Sequence, residues 1–388
     1  MYTELKRTWA EIDLDSIEYN YRKLRERIGE NCRFLGVVKA DAYGHGAVQV
    51  AALLEKLGAD YLAVSSLDEA RELRYSGISM PILLLGHTPA DQVRHLIANN
   101  ITQAVSCESK ALEYETEAAR FGEKLKVHIK LDTGMSRLGF LCDGAHFDGG
   151  VEAVYRSVQL PHLDAEGVFT HFALSDCDDE MAREYTQKQF GLFMDVIDAV
   201  KKKGFTFRIR HCANTGAVAR YPETWLDMVR PGLLLYGYGQ EAAELGLKPV
   251  MQLKTIISTI KVYDPGTFIS YGATWQAEKR TRIGVLPIGY EDGLFRCLSN
   301  RYSMMTAEGP APIRGRICMD MCMIDLSGKP GVDVGDEVII FGRGNSLDRM
   351  AEAAGTIPYE LTCAVSKRVP RVFYRNGEVC EQELRILR

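Results

Sequence analysis

Short apolar segments alternate with amphipathic helical segments through the first 243 residues of this 388-residue chain. Segments such as Phe34–Val38, Tyr61–Ser66 and Pro81–Gly86 are rich in apolar residues, as strands buried on both faces of a parallel sheet usually are. Each is followed by a stretch with apolar residues at helical spacing. Roughly eight or nine such repeats in one run favour a (β/α)8 barrel over an open sheet.

The pattern changes after residue 243. Apolar and polar side chains alternate with period two over 256–262, and further short strands near 282–288, 319–325 and 337–341 are separated by Gly-rich turns. We therefore predict an α/β protein with an N-terminal (β/α)8 barrel, residues 1–243, and a mostly β domain, residues 244–388.

Composition excludes several classes of protein. The net charge is −5 and no basic block occurs, so nucleic acid is not expected as a partner. Without a signal peptide or a long apolar run, we expect no membrane association and a cytosolic (cytoplasmic) location. The ten cysteines contain no C-x-x-C pair, which fits reduced thiols, and the eight histidines form no metal-binding pattern, so no metal site is expected.

Polar residues stand where several predicted barrel strands end. The carboxyl ends of all barrel strands meet at one face, and ligands bind there. We therefore expect one site to contain the following residues: Lys39, Lys130, Asp132, His171, Asn214 and Arg230.

Lys39 follows an apolar strand and precedes a turn that ends at Gly46. A lysine held among apolar neighbours is partly desolvated, which disfavours the ammonium form and yields a nucleophilic amine suited to Schiff-base chemistry. A surface lysine at the mouth of an ordinary strand explains this segment about equally well.

Other segments carry weaker signals. Arg137, in a Gly-marked loop, suits a carboxylate or phosphate, although a surface arginine is the simpler explanation. Segments 211–217 and 229–237 run from strand ends into short helices and together are similar to a barrel phosphate site. Tyr271 and Tyr290 in the β domain can act as bases only if nearby cations lower their pKa, so packing is the simpler role for each.

Taken together, these motifs resemble the bacterial alanine racemases, pyridoxal-phosphate-dependent enzymes of fold type III. The resemblance runs from about Trp9 to Val372. The segments that carry it, in the order of the family, are Val37–Gly46, Asp132–Gly139, Thr170–Ala173, Ala213–Thr215, Arg230–Gly232, Ser270–Gly272, Gly289–Gly293, Cys318–Asp320 and Ile357–Glu360.

The resemblance implies interconversion of L-alanine and D-alanine by two-base proton transfer on a pyridoxal phosphate aldimine, which supplies D-alanine for peptidoglycan. It also implies a head-to-tail homodimer with shared active sites. Lys39 would hold the cofactor and handle the proton of D-alanine, and Tyr271 of the partner subunit would handle the proton of L-alanine on the opposite face.

The matching motifs imply roles for the remaining residues. Arg230 would face the pyridine nitrogen with support from His171, and Arg137 would bind the substrate carboxylate together with the amide of Met319. Lys130, a position carbamylated in some family members, and Asp320 would be supporting residues. The cofactor would contact Lys39, Tyr43, Arg137, His171, Asn214, Thr215, Arg230, Gly232, Leu233 and Tyr359. The substrate access channel would contain Asp176, Tyr290, Arg296, Arg316 and Ile357.

Three alternatives stay open. A serine or broad-specificity racemase of the same fold is disfavoured by Tyr359, because relatives that prefer serine tend to have a smaller polar residue there. A decarboxylase of the same architecture would need motifs that the chain lacks. A non-catalytic pyridoxal phosphate carrier is disfavoured by the β domain with Tyr271 and by the Arg137 motif.

Overall fold

The computed structural model describes residues 7–384, which form nineteen strands and thirteen helices. The strands are β1 (Thr8–Asp13), β2 (Arg33–Val37), β3 (Tyr61–Val64), β4 (Ile82–Leu84), β5 (Ile101–Val105), β6 (Leu125–Asp132), β7 (Phe140–Leu141), β8 (Leu163–Phe169), β9 (Ile209–His211), β10 (Met228–Val229), β11 (Met251–Ile256), β12 (Thr259–Tyr263), β13 (Thr281–Leu286), β14 (Ser303–Thr306), β15 (Gly309–Pro312), β16 (Cys322–Asp325), β17 (Glu337–Phe341), β18 (Arg371–Arg375) and β19 (Glu378–Glu383). The helices are α1 (Leu14–Ile28), α2 (Lys39–Gly44), α3 (Ala47–Leu57), α4 (Leu67–Tyr75), α5 (Val93–Ala98), α6 (Glu108–Phe121), α7 (Phe147–Val158), α8 (Glu180–Lys202), α9 (Thr215–Arg220), α10 (Leu233–Tyr236), α11 (Gln240–Glu244), α12 (Leu347–Ala354) and α13 (Pro358–Cys363).

Eight parallel strands form a nearly closed barrel in the first compact unit, which contains Asn20–Ala42 and Ala47–Leu235. Their order is β10-β2-β3-β4-β5-β6-β8-β9, and every pairing between neighbours is parallel. Backbone hydrogen bonds from Asp227 to Arg210 and from Arg230 to Ala213 join the two ends of this order. The barrel predicted from the sequence is confirmed.

The second compact unit contains the described residues up to Tyr19, Tyr43–Gly46, and the described residues from Tyr236 onward. Its larger sheet has the order β15-β14-β17-β11-β1-β18-β19, and its smaller sheet has the order β12-β13-β16. Side chains of β11 are alternately buried and half-buried, as in a sheet that covers a core with one face. The predicted mostly β architecture of the C-terminal part is also confirmed.

The first strand falls within the segment 1–243 that the sequence analysis assigned to the barrel, but it lies in the second compact unit. β1 instead pairs antiparallel with β11 and parallel with β18. Both hydrogen-bonding edges of β1 are therefore satisfied inside the larger sheet of the second unit. The predicted domain boundary at 243/244 stays a prediction, and the two compact units meet in the chain after Leu235.

Residues 7–384 can be compared with the expectations about membranes and metal ions. We find no helix there whose length and hydropathy would let it span a bilayer. Nor do those residues contain a group of three or more His, Cys, Asp or Glu side chains placed to hold a metal ion. The predicted cytosolic location stays a prediction.

Candidate active site

Lys39 lies directly after the barrel strand β2, at the start of α2, and its side chain is half-buried. α2 is a left-handed turn, because residues 40–43 have φ angles between 51° and 57° although none of them is glycine. A left-handed conformation costs L-amino acids about 1–2 kcal/mol per residue. Such a turn persists only where its surroundings hold it.

Glu69 is one residue that holds this turn. Its Oε1 accepts a hydrogen bond of 2.7 Å from the amide of Ala40, and its Oε2 accepts one of 2.6 Å from the amide of Ser65. Glu69 also closes the capping box of α4 with Ser66. One carboxylate thus ties the backbone beside Lys39 to the end of the neighbouring strand β3.

Four cationic residues lie at or just beyond the carboxyl ends of barrel strands: Lys39, Lys130, Arg137 and Arg230. Burial, together with Arg137 and Arg230, lowers the pKa of Lys130 to about 8. Burial and the same cations lower the pKa of His171 to about 2, so this imidazole is neutral. The electrostatic influence of Lys39 on both groups indicates that these side chains share one site.

Asp132 supplies one negative charge near these four cations, and backbone amides hold its carboxylate in place. Oδ1 accepts hydrogen bonds from Gly134 and Ser136, both of 3.0 Å, and Oδ2 accepts one of 3.1 Å from the amide of Arg137. These bonds fix the loop that carries Arg137. The excess of cations suits an anionic ligand, and a phosphorylated cofactor with a phenolic oxygen meets that requirement.

Arg230 is buried and has a fixed orientation. Its Nη1 lies 2.8 Å from Nδ1 of His211, and its Nη2 donates to the carbonyl oxygens of Thr170 at 2.8 Å and Cys212 at 3.1 Å. Burial lowers the pKa of Arg230 to about 10, which still leaves it charged at neutral pH. His211 thus makes a side-chain hydrogen bond to Arg230. The predicted support of Arg230 by His171 stays a prediction.

The two segments predicted to bind an anion are connected. The amide of Gly232 donates a 3.0 Å hydrogen bond to Oγ1 of Thr215. Asn214 caps α9 by accepting a hydrogen bond from the amide of Ala217, and Ser175 donates to Asn214 at 2.6 Å. The structure therefore brings together residues 214–215 and 232–233, with Leu233 at the start of α10. Asp176, assigned to the access channel, follows Ser175 and is exposed.

Tyr271 belongs to the second unit, and its side chain is 71% exposed. Its loop is nevertheless held firmly. Ser270 has a left-handed φ of 67°, and its Oγ donates a 2.6 Å hydrogen bond to the carbonyl of Arg316. A Cβ atom on Gly315 would lie 2.4 Å from the carbonyl oxygen of Ile269, so only glycine fits there.

Tyr271 lines a cavity of about 540 Å³ within the second unit, where apolar side chains are unusually exposed. Phe268 is 57% exposed, and Met319 and Met321 are each 51% exposed. A contiguous apolar face of this kind marks a site for interaction with another protein or a ligand.

Asp292 is completely buried in the second unit and connects several segments of it. Arg7 and Arg368 each contact both of its carboxylate oxygens, at distances of 2.8–3.2 Å. Arg368 also donates a 2.7 Å hydrogen bond to Asp320, the residue after Met319. The network positions the Met319–Asp320 segment, and the sequence analysis did not identify it.

Tyr43 and Tyr359 also lie in the second unit, with ring centroids 5.5 Å apart. Burial and the neighbouring Tyr359 raise the pKa of Tyr43, so its hydroxyl stays protonated and can donate a hydrogen bond to an anion. The other residues assigned to the access channel reach the surface of this unit to different degrees. Tyr290, Arg296 and Ile357 are exposed, and Arg316 is half-buried.

The sequence analysis did not identify three barrel residues near Arg230 as functional candidates: His211, His128 and Glu166. Their side chains are buried or nearly so. A signal for His128 was present, because it stands two residues before Lys130 on the buried strand β6 and so faces the same side of the sheet.

The sequence models of two families match the chain in succession. The first, "Alanine racemase, N-terminal domain", matches residues 12–240. The second, "Alanine racemase, C-terminal domain", matches residues 250–373. Together the two matches include every site residue discussed above except Arg7.

Similar proteins match over nearly their whole length. Alanine racemase 1 of Clostridium acetobutylicum is 44% identical over 387 residues, with 98% of each chain covered. A solved structure of alanine racemase from Clostridium difficile 630 superposes with a TM-score of 0.91 at 40% identity, covering 97% of this chain and 98% of the other. The structure of alanine racemase from Bacillus anthracis with bound L-Ala-P also gives a TM-score of 0.91, at 33% identity, with 100% of both chains covered.

Proposed function

This chain belongs to the alanine racemase family, and from that membership we propose that it is an isomerase that interconverts L-alanine and D-alanine with pyridoxal phosphate as its cofactor. The observation that carries this proposal is the common site of Lys39, Arg137 and Arg230 at the ends of barrel strands. Bound pyridoxal phosphate withdraws electrons from the substrate and makes its Cα proton acidic.

The residues of the chain suit that cofactor. Lys39 would attach it, Arg230 would face its pyridine nitrogen, and Arg137 would bind its phenolic oxygen. Hydrogen-bond donors suited to the phosphate and neighbouring groups come from the following residues: Tyr43, Asn214, Thr215, Gly232, Leu233 and Tyr359. His171 is neutral, since its pKa is low, and adds no further charge to the site.

Inversion at Cα requires a proton to leave from one face and another to arrive at the opposite face. Lys39 exchanges the proton on the D-alanine side, and Tyr271 of the partner subunit exchanges it on the L-alanine side. We propose a head-to-tail homodimer because Tyr271 stands exposed within an apolar face of its own unit. A second copy that covers this face would bury those side chains. Arg137 and the amide of Met319 of the partner subunit hold the substrate carboxylate.

Arg230 also limits side reactions. Its guanidinium does not readily give up a proton, so the ring atom that it faces stays unprotonated. Electron withdrawal is then weaker than with an acidic partner, which disfavours reprotonation at a position other than Cα. Racemisation therefore prevails over transamination.

Lys130 is proposed to carry a carbamate. Burial lowers its pKa to about 8, so a substantial share of the amine is neutral in mildly alkaline buffer and can add carbon dioxide with release of one proton. The resulting anion would orient Arg137.

With ¹³C-bicarbonate, we expect a protein-bound carbamate signal in carbon NMR spectra of the wild type that is absent from Lys130→Met. The same substitution should lower kcat by about tenfold because Arg137 loses a charged hydrogen-bond partner. Lys126→Met, at an exposed lysine of the same strand, is the matched control and should retain both signal and activity. Survival of the signal in Lys130→Met would assign the carbamate to another group.

A chiral assay of L-alanine and L-serine, with and without added pyridoxal phosphate, tests the proposed activity. We expect kcat/KM for L-alanine to exceed that for L-serine by at least about tenfold, because Tyr359 leaves little space for a substrate hydroxyl. Equal kcat/KM values would favour the broad-specificity alternative. No turnover of either amino acid by protein with bound cofactor would contradict the proposed activity altogether.

A further inference from the structure

A chain of buried side chains extends from Arg230 through the interior of the barrel. Nδ1 of His211 lies 2.8 Å from Nη1 of Arg230, and Nε2 of His211 lies 2.9 Å from Nδ1 of His128. Nε2 of His128 lies 3.5 Å from Oε1 of Glu166. Both imidazoles are completely buried, and Glu166 is nearly so.

The hydrogen bonds permit one arrangement of protons. A guanidinium only donates, so Nδ1 of His211 must accept and its proton must be on Nε2. That proton is then donated to Nδ1 of His128, whose own proton must be on Nε2. Among residues 7–384, Nε2 makes no closer polar contact than the 3.5 Å distance to Oε1 of Glu166. The two imidazoles are thereby aligned between a cation at one end and a carboxylate at the other.

Burial keeps both imidazoles neutral, because it lowers the pKa of His128 and of His211. Burial raises the pKa of Glu166, but the neighbouring imidazole of His128, the positive charge of Lys126 and the hydrogen bond from Thr102 outweigh this effect and lower the pKa. Thr102 donates a 3.2 Å hydrogen bond to Glu166, and Arg208 lies 3.5 Å from its other oxygen. Glu166 is therefore a fixed anion at the end of this series of buried side chains.

The barrel is shaped to admit this chain. A Cβ atom on Gly167 would lie 2.5 Å from Cε1 of the His128 ring, so a larger residue at 167 would displace the imidazole. His211 stacks on Phe169, with ring centroids 4.9 Å apart and planes inclined by 10°. The positions of both rings are thus fixed by packing as well as by hydrogen bonds.

We propose that His211, His128 and Glu166 are positioning residues that hold Arg230 as a fixed donor toward the pyridine nitrogen, and that Glu166 stabilises the proton on Nε2 of His128. This inference rests on the proposed function, since it assigns Arg230 to the cofactor. None of the three residues touches the substrate in this scheme, and no proton moves along the chain during turnover.

Loss of the carboxylate would remove the group that stabilises the proton on Nε2 of His128. His128 could then carry its proton on Nδ1, which would force His211 to present a proton to Arg230. Two donors would face each other, and the guanidinium would turn away from its position. The pyridine nitrogen would lose its fixed partner, so transamination should increase relative to racemisation.

The first test uses wild-type protein without cofactor, labelled with ¹⁵N in its histidines. Two-bond proton–nitrogen NMR spectra distinguish the two neutral tautomers. We expect His128 and His211, assigned by His128→Gln and His211→Gln, to carry their protons on Nε2. A neutral imidazole with its proton on Nδ1 at either residue, or a doubly protonated imidazole at neutral pH, would overturn the proposal.

The second test compares Glu166→Met with Glu166→Gln in the loaded enzyme. The amide oxygen of glutamine can still accept from His128, whereas methionine of similar size cannot. We expect the ratio of transamination to racemisation to rise by about tenfold in Glu166→Met and to stay within about twofold of wild type in Glu166→Gln. Glu108→Met, which removes a carboxylate from a surface pair with Arg156, is the control.

The outcomes separate this inference from the proposed function. Equal ratios in the two Glu166 variants would overturn the positioning role while leaving racemisation intact. Failure of the wild type to racemise alanine would contradict the proposed function instead. Should Glu166→Met not fold, the tautomers of the wild type still decide the proton order, because they need no variant at residue 166.

Discussion

Replacing Lys39 with alanine should lower kcat for alanine racemisation by more than about 10⁴-fold, because one substitution removes both the attachment point of the cofactor and one of the two bases. Protein incubated with pyridoxal phosphate should also lose the visible absorbance of the covalently attached cofactor. Both quantities can be measured on the same sample, by a chiral assay of L-alanine and by absorbance spectroscopy.

Lys56→Ala is a matched control for this experiment. Lys56 is an exposed lysine of α3 in the same unit, so its loss removes an equal charge away from the barrel strand ends. We expect wild-type absorbance and activity from it. If Lys39→Ala kept the absorbance band, Lys39 would not be the attachment point, whatever its effect on the rate.

Tyr271→Phe should reduce L-to-D turnover by about 10²–10⁴-fold and leave cofactor binding nearly unchanged. The substitution removes only the phenolic hydroxyl, which is the group proposed to exchange the proton of L-alanine. Tyr75→Phe, at a tyrosine that is 74% exposed on α4, tests whether loss of any exposed hydroxyl has the same effect. A fall in cofactor affinity equal to the fall in rate would point to a structural role for Tyr271.

Mixing the Lys39→Ala and Tyr271→Phe proteins tests whether the active site is shared. In a head-to-tail dimer, a mixed pair contains one site with both bases and one site with neither. After subunit exchange, half of the dimers are mixed and half of their sites are intact, so about a quarter of wild-type activity should return. Absence of any rescue after demonstrated exchange would mean that each chain supplies both bases to its own site.

The barrel could be predicted because its signal is local. Strands buried on both faces and helices at 3.6-residue spacing are visible in short windows of sequence. The place of β1 was not visible in this way, since Thr8 pairs with Thr255 across 247 positions of the chain. Pairing between distant strands depends on which edges remain free, and no local pattern records that.

Site residues were predictable to the extent that motifs mark them. Lys39 and Arg230 stand at strand ends, and the matching motifs pointed to both. His211 was not identified as a partner of Arg230, because the sequence motifs do not give side-chain direction. His128 and Glu166 come from two other strands, so only the closed barrel brings them into line with His211.

The left-handed turn after Lys39 has a consequence for how this chain can change under selection. In the interior of a helix or strand glycine is a destabilising replacement, but at exposed Ala40 it would remove a backbone penalty of about 1–2 kcal/mol. Selection for heat resistance alone would therefore favour glycine beside the lysine. The same glycine would loosen the backbone that aims the amine, so selection for turnover would remove it again. The non-glycine residues beside Lys39 therefore hold the backbone at a cost in stability.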